Sequence, residues 1–301
     1  MPIAVLLAGL AVPVRAESCA ELLRQTLDSG RVSAIVSCFQ PGTDWLDGSG
    51  RRAGPGAVAL GLESLIRAQA RADAGGPTLS ETAGAVFVSG FHSPKLGPAS
   101  LLVALRRRLF PAAQDRWNYV LVADRSPRGW AHPRLYYAAA PWPAAHAPHS
   151  NPESAQDRGA SAPAAPVPRR AASRDGWKEG LEGFNVRFST GDVPGWLAHW
   201  HPQATFYSGI GPLRGEGIRD FFRNQARRYI GPHLRIERDH GGASGPIVFE
   251  GRLQGRCRKD GNPFQLQVLM DVRMRAGRIE HLQEAFIALN DGCGPFWAGD
   301  G

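Results

Sequence analysis

Residues 264–274 read FQLQVLMDVRM, and an apolar side chain occupies every second position from Phe264 to Met274. Most of the positions between them are polar, namely Gln265, Gln267, Asp271 and Arg273. This alternation predicts a β-strand with one face buried and the other toward solvent. Three further strands, separated from one another by glycine-containing turn signals, are predicted at 234–240, 247–258 and 278–289.

The segment ahead of these strands carries helical signals. An amphipathic helix contains Leu181, Phe184 and Phe188 and ends at Gly191, where glycine favours a helix stop. Two further helices are predicted at 193–200 and 217–229, with a short strand at 204–208 between them. Helices followed by a curved antiparallel sheet indicate an α+β architecture.

The two halves of the chain are related by a constant offset of 161 residues. Seven glycine, proline and valine positions coincide at this offset without a gap. For example, residues 54–56 (GPG) fall on residues 215–217 (GEG), and Pro41 falls on Pro202. We therefore interpret the chain as a duplication of one α+β unit.

A segment of biased composition separates the two copies. Residues 139–174 hold 7 prolines and 12 alanines in 36 positions, a composition that predicts a semi-extended linker rather than a packed core. We accordingly expect two domains, at 17–138 and 175–301.

The amino end has features of a signal peptide. An apolar run covers residues 3–12, and Val14-Arg15-Ala16 places small residues at the positions that precede a cleavage site. We expect residues 1–16 to be a signal peptide of a periplasmic or secreted bacterial protein. The alternative is that the run forms a buried helix or strand.

The cysteine count agrees with export, because an even number of cysteines in an exported chain indicates disulfides. The four cysteines permit three connectivities. If two short helices fold back about Gly30, Cys19 faces Cys38, and we expect that pair. The second predicted pair is Cys257 with Cys293. Cys257 lies on the same face of its strand as the apolar side chains, and Cys293 lies on a tail that can fold back.

Composition disfavours several classes of function. The net charge is +8, but residues 175–301 carry 16 basic and 15 acidic groups, so a nucleic-acid partner is not expected. No apolar run reaches the roughly 18 residues of a membrane span. The chain has no CxxC spacing, phosphate loop or dinucleotide fingerprint in a strand–turn–helix setting, so we expect no metal and no cofactor. His199 and His201 flank Trp200, but at helical spacing they point apart.

Three segments carry a family resemblance. Residues 196–208 read WLAHWHPQATFYS, residues 215–222 read GEGIRDFF and residues 273–279 read RMRAGRI. This set resembles the SnoaL-like branch of the nuclear transport factor 2-like superfamily. The resemblance covers 176–290 well and reaches 18–138 through the repeat. It implies two cone-shaped α+β domains, each with helices packed on a curved sheet around one pocket.

The resemblance also implies which side chains line such a pocket. In the second half these are Trp200, Phe206, Ser208, Met270, Glu284 and Phe286, and in the first half Trp45. Glu284 shares strand parity with Phe286, although a position at the solvent rim or in an ion pair is the alternative.

Ketosteroid isomerase, a member of that superfamily, needs a carboxylate base together with a tyrosine and a protonated aspartate that hold the enolate oxygen. The base position falls on Ser208 and the tyrosine position on Phe184, while alternation puts Asp271 on the solvent face, so the second half departs from this pattern. In the first half the repeat places Asp47 at the base position, beside Trp45. Asp47 is therefore the candidate general base, and the alternative is an Asp-Gly turn without chemistry.

Two hypotheses of function follow. The first is a non-catalytic exported tandem that binds a small apolar molecule or a protein partner. The second is a cofactor-independent isomerase, dehydratase or cyclase-type enzyme that uses Asp47. Because domains of this superfamily commonly pair through the outer faces of their sheets, the two copies are also expected to form an intramolecular pseudo-dimer, with a polar interface.

Overall fold

The computed structural model describes residues 16–48, 50–54, 56–68, 78–81, 84–92, 117–138, 176–208, 211–240 and 247–291. The expected linker and all but the last residue of the expected signal peptide lie outside these ranges. None of the helices in this part of the chain is long and apolar enough to span a membrane.

The first half begins with two helices and ends with an antiparallel sheet. Its elements are α1 (Ala16–Ser29), α2 (Ser33–Val36), β1 (Trp45–Asp47), β2 (Gly50–Arg52), α3 (Ala57–Ala68), β3 (Thr78–Glu81), β4 (Ala85–His92), β5 (Trp117–Ser126) and β6 (Gly129–Ala138).

The second half repeats this order. Its elements are α4 (Gly176–Thr190), α5 (Val193–Leu197), β7 (Trp200–Ser208), β8 (Gly211–Arg214), α6 (Glu216–Arg228), β9 (Tyr229–Asp239), β10 (Ile247–Cys257), β11 (Pro263–Arg275) and β12 (Arg278–Asp291). Strands β7, β9 and β11 start earlier than predicted, at Trp200, Tyr229 and Pro263. β9 begins directly after α6, because Tyr229, the residue after the helix, is extended and pairs with Cys257.

Each half places a short hairpin beside its last strand. In the first half β1 pairs with β2 and runs parallel to β6, through Leu46 and Arg134. In the second half β7 pairs with β8 and runs parallel to β12. The remaining strands form antiparallel ladders in the orders β3-β4-β5-β6 and β12-β11-β10-β9. The fold is therefore α+β, as expected.

Two separate cores fill the space between helices and sheet. The first contains Leu23, Trp45, Leu62 and Tyr119. The second is rich in aromatic rings, with Phe184, Trp196, Phe222 and Phe249 among its members.

A third apolar cluster joins the outer faces of the two sheets. It combines Phe87, Val120 and Tyr136 from the first half with Val248 and Leu269 from the second. At its margin β6 pairs with β12, so that the strands of both halves form one 12-stranded sheet.

This contact overturns part of the sequence interpretation. The prediction that Gln267 and Asp271 face solvent is wrong, because both are buried. The outer face of β11 is covered by the first half at Leu269. The expectation of a polar interface on this face is wrong for the same reason.

The predicted disulfide between Cys19 and Cys38 is confirmed, with 5.6 Å between the two Cα atoms. It ties α1 to the chain that follows α2. Cys257 is buried and disulfide-bonded. Cys293, its predicted partner, lies outside the described residues, so that pairing stays a prediction.

Candidate functional site

Asp47 lies at the end of β1, in a tight hairpin where it pairs with Gly50. One oxygen of its carboxylate, Oδ2, accepts a hydrogen bond from the Trp45 indole (2.9 Å) and another from Arg52 (3.0 Å). The carboxylate is buried. The carboxylate therefore belongs to a buried network with a cation and an indole donor.

Tyr137 on β6 shares the surroundings of Asp47. Burial raises the pKa of the Tyr137 phenol, and the negative charge of Asp47 raises it further. The Tyr137 ring packs against the cores of both halves. In the sheet, Tyr137 of β6 pairs with Phe286 of β12. The phenol thus stays protonated near Asp47, at the junction of the halves.

Ser208 occupies the corresponding place in the second half. It pairs with Gly211 in the β7–β8 hairpin, as Asp47 pairs with Gly50 in the β1–β2 hairpin. Its side chain is buried. The two hairpins therefore have the same register at the offset of 161, with a hydroxyl where the first half has a carboxylate.

The expected pocket residues of the second half come together in its core. The apolar cluster of this core contains Trp200, Phe206, Met270 and Phe286. Glu284 is also buried, in β12, and pairs with Met270 of β11. Their surroundings are aromatic. The Trp200 ring lies 5.7 Å from that of Phe206, and the Phe206 ring lies 5.1 Å from that of Phe221. Trp45 is not with them, since it belongs to the first core.

The histidines near Trp200 have separate environments. Burial lowers the pKa of the His199 imidazole, with a smaller contribution from Arg187, whereas His201 accepts a hydrogen bond from the backbone N–H of Gln203. Within the described ranges, no three His, Cys, Asp or Glu side chains are arranged to hold a metal ion.

A buried ionic cluster between the halves was not predicted. Glu250 of β10 is fully buried, and Arg134 of β6 places Nη2 2.7 Å from its Oε1 and Nε 2.7 Å from its Oε2. Tyr136 donates to the same carboxylate at 2.8 Å, and His240 Nε2 lies 2.8 Å from it. Burial alone would raise the pKa of Glu250, but the hydrogen bond from His240 and the charge of Arg134 outweigh it and lower the pKa to about 2.

An open crevice of about 450 Å³ lies beside this cluster. Both halves contribute to its walls through the β1–β2 hairpin, the start of β6 and strands β9 to β11. Its charged and polar lining includes Arg51, His132, Arg134, Glu237, Arg238 and Arg252. No sequence pattern predicts this crevice, because its residues come together only when the halves pack.

Comparisons with known proteins place part of the chain. Residues 181–282 match the SnoaL-like domain family. No curated protein matches the chain.

Several solved structures align with it over roughly two-fifths of its length. A protein with a ketosteroid isomerase-like fold from Catenulispora acidiphila is 16% identical, with a TM-score of 0.35, over 40% of this chain and 97% of its own. A nuclear transport factor 2-like protein from Anabaena variabilis is 22% identical, with a TM-score of 0.34, over 40% and 92%. The family match, in contrast, rests on the sequence of the second half, where residues 181–282 are similar to the SnoaL-like domain family.

Proposed function

We propose that the protein is an exported, non-catalytic tandem of two SnoaL-like halves that binds a small apolar molecule or a protein partner. One observation carries the proposal. The carboxylate of the candidate base, Asp47, already accepts hydrogen bonds from Arg52 and Trp45, and a serine stands in its place in the second half.

Catalysis by Asp47 would require this network to open. A general base takes a proton from the substrate on an oxygen within hydrogen-bond reach of it. The Oδ2 atom is held by two donors, and the side chain is almost fully shielded from solvent. A binding role needs no such rearrangement, because Asp47 then serves to hold the hairpin against Trp45.

The proposal includes two domains at 17–138 and 175–301, joined by the linker at 139–174 and paired within one chain. The repeated element order and the equal hairpin registers support a first half that is a diverged copy of the second. The apolar cluster and the Arg134–Glu250 pair support intramolecular pairing, because a buried charge pair needs both partners in place.

Export to the periplasm or the medium is the second part of the proposal. The disulfide between Cys19 and Cys38 supports it, since disulfides persist in oxidising compartments. Cleavage after Ala16 would place Cys19 close to the new amino end. Mass spectrometry of the protein secreted by a bacterial host tests this directly. A chain that begins at Glu17 supports the proposal, and a cytoplasmic chain that keeps residues 1–16 contradicts it.

For an apolar ligand, the proposed lining in the second half is Trp200, Phe206, Ser208, Met270, Glu284 and Phe286, with Trp45 in the first half. Because aromatic rings pack around Phe206, such a ligand would enter by displacing part of this packing.

A melting-temperature screen combined with a turnover assay tests the proposal. Steroids, aromatic polyketide-like compounds and fatty acids are added to wild type, Asp47→Asn and the control Asp220→Asn, which changes an exposed acid paired with Arg223 at 2.7 Å on α6. We expect a compound that raises the melting temperature of all three proteins equally and is recovered unchanged. Conversion by wild type and Asp220→Asn, but not by Asp47→Asn, would instead establish the enzyme.

A further inference from the structure

The arginines that line the crevice between the halves differ in how closely acidic side chains hold them. Arg134, at its buried end, is held at 2.7 Å by both Glu250 and Asp124. Arg252 is held by Glu237 at 3.0 Å. These distances are those of charge-assisted hydrogen bonds, so both arginines are committed to acids of the protein.

Arg51 and Arg238 are held less closely. Arg51 lies 3.5 Å from Asp44, and its side chain is 71% exposed. Arg238 lies 3.4 Å from Glu250 and 3.9 Å from Asp124, two acids that Arg134 already binds at shorter distance. A guanidinium carries several N–H donors in a planar fork, and contacts longer than about 3.2 Å use few of them. Both side chains can therefore turn donors toward a ligand.

His132 forms part of the same wall in a strained conformation. Its φ is 49°, in the left-handed region, and it precedes Pro133, which further restricts its backbone. Two hydrogen bonds fix it there: its N–H donates to Thr43 Oγ1 at 2.9 Å, and its carbonyl accepts from Arg134. Strain of this kind concentrates at ligand-binding sites.

The remaining polar lining consists of Asp44 and Glu237, which pair with Arg51 and Arg252, and of the Gln267 amide, and the rest of the described lining is apolar or lacks a side chain. Leu46 and Pro133 face the crevice, and Gly48 and Gly50 leave room at the tip of the β1–β2 hairpin. A volume of about 450 Å³ suits a small organic molecule, and its walls offer cations at one part and apolar surface at another.

We propose that this crevice binds a small organic anion, whose carboxylate or phosphate group is held by Arg51 and Arg238 and whose apolar body lies against Leu46 and Pro133. Arginine forks match both oxyanions in two-point geometry. The two arginines come from different halves, so the ligand bridges them. The inference does not depend on the absence of catalysis at Asp47.

Isothermal titration calorimetry with the full mature chain tests the site. The probes are hexanoate, hexyl phosphate and the uncharged hexanamide. We expect hexanoate or hexyl phosphate to bind and hexanamide not to bind, and the stronger of the two anions identifies the head group. Since Arg51 and the partly exposed Arg238 face water, affinity should fall as salt rises. Equal binding of hexanamide and both anions would overturn the proposal, and so would no binding of any probe.

Matched variants locate the binding. Arg51→Gln and Arg238→Gln should each weaken binding at least tenfold. Arg219→Gln, which removes a surface arginine paired with Glu216 on α6, should leave it unchanged. Melting temperatures without ligand verify that each variant is folded. Arg51→Lys keeps the positive charge but lacks the planar pair of N–H donors, so it should bind with intermediate affinity. Wild-type affinity in both glutamine variants would place the anion elsewhere and contradict the proposal.

Discussion

Arg134 and Glu250 meet across the junction of the halves although 116 positions separate them in the sequence. Both are buried, so the cost of removing each charge from water is offset by the pair and by the donors Tyr136 and His240. No local pattern predicts such a pair, because each residue alone looks like an isolated charge in an apolar strand. Asp47 could be singled out from the repeat, but its bonds to Arg52 and Trp45 could not.

Replacement of Arg134 by methionine should destabilise the protein by about 3–5 kcal/mol, because Glu250 would be left buried without its main cation. Urea unfolding measures the loss. The double variant Arg134→Met, Glu250→Leu should recover most of it, and Arg219→Gln should change stability by less than about 1 kcal/mol as an exposed pair. An Arg134→Met protein as stable as wild type would contradict the buried pairing.

The pH dependence of stability should report His281. Burial lowers the pKa of its imidazole to about 4, with a smaller contribution from Arg273, against an ordinary value of 6.5. Between these values the unfolded chain binds a proton that the folded chain does not, so stability falls as the pH is lowered through this window. The ring is only half-buried, so we expect wild type to lose about 1 kcal/mol more than His281→Gln between pH 7 and pH 5.

Urea midpoints at the two pH values give this difference. His233→Gln, which changes an exposed histidine on β9, is the control and should keep the wild-type slope. If His281→Gln lost as much stability as wild type, the assigned burial of His281 would be wrong.

At the scale of elements, the second-half strands could be predicted because β11 alternates on its inner face. The first-half strands could not be assigned one by one. Residues 118–123 of β5 are all buried, because its inner face meets the helices and its outer face meets the second half. A strand covered on both faces loses the alternation on which such predictions rest.

Helix α3 packs closely on β1 at Gly61. A Cβ atom at this position would overlap the Trp45 ring, which is fully buried and hydrogen-bonded to Asp47. Gly61→Ala should therefore destabilise the protein by about 1–3 kcal/mol in thermal unfolding. Gly217→Ala in α6 is the matched control, since its Cβ would lie 3.6 Å from Leu213, and it should be neutral or slightly stabilising. Equal melting temperatures for the two variants would contradict this packing.

The disulfide that ties α1 to the end of α2 closes a loop of 19 positions. In the chain-entropy view, its removal should cost about 3 kcal/mol. We expect the double variant Cys19→Ser, Cys38→Ser to unfold at correspondingly lower urea concentration. Reducing agent should lower the stability of wild type toward that of the variant. A variant as stable as the oxidised wild type would show that the bridge does not constrain the unfolded chain.

At the scale of the molecule, the duplicated order of elements could be inferred from the glycine offset, but the way the halves meet could not. The outer face of the second sheet reads as polar through Gln265 and Arg273, yet Val248, Leu269 and Ile287 on other parts of it pack against the first half. The junction also contains the Arg134–Glu250 ion pair and the β6–β12 strand pairing. It therefore combines apolar and charged contacts, whereas the sequence predicted a polar, hydrated interface. The proposed anion site exists only if this junction persists.

Small-angle X-ray scattering of the full mature chain distinguishes halves that pack together from halves that move independently. If the halves pack through their outer faces, a particle of monomer mass should have a radius of gyration of about 20 Å, the value for one compact body of this length. Two bodies joined only by an extended linker would instead scatter as a dumbbell with a radius of about 28 Å or more and a broad distance distribution. The compact particle is the predicted result, and the dumbbell would contradict the account.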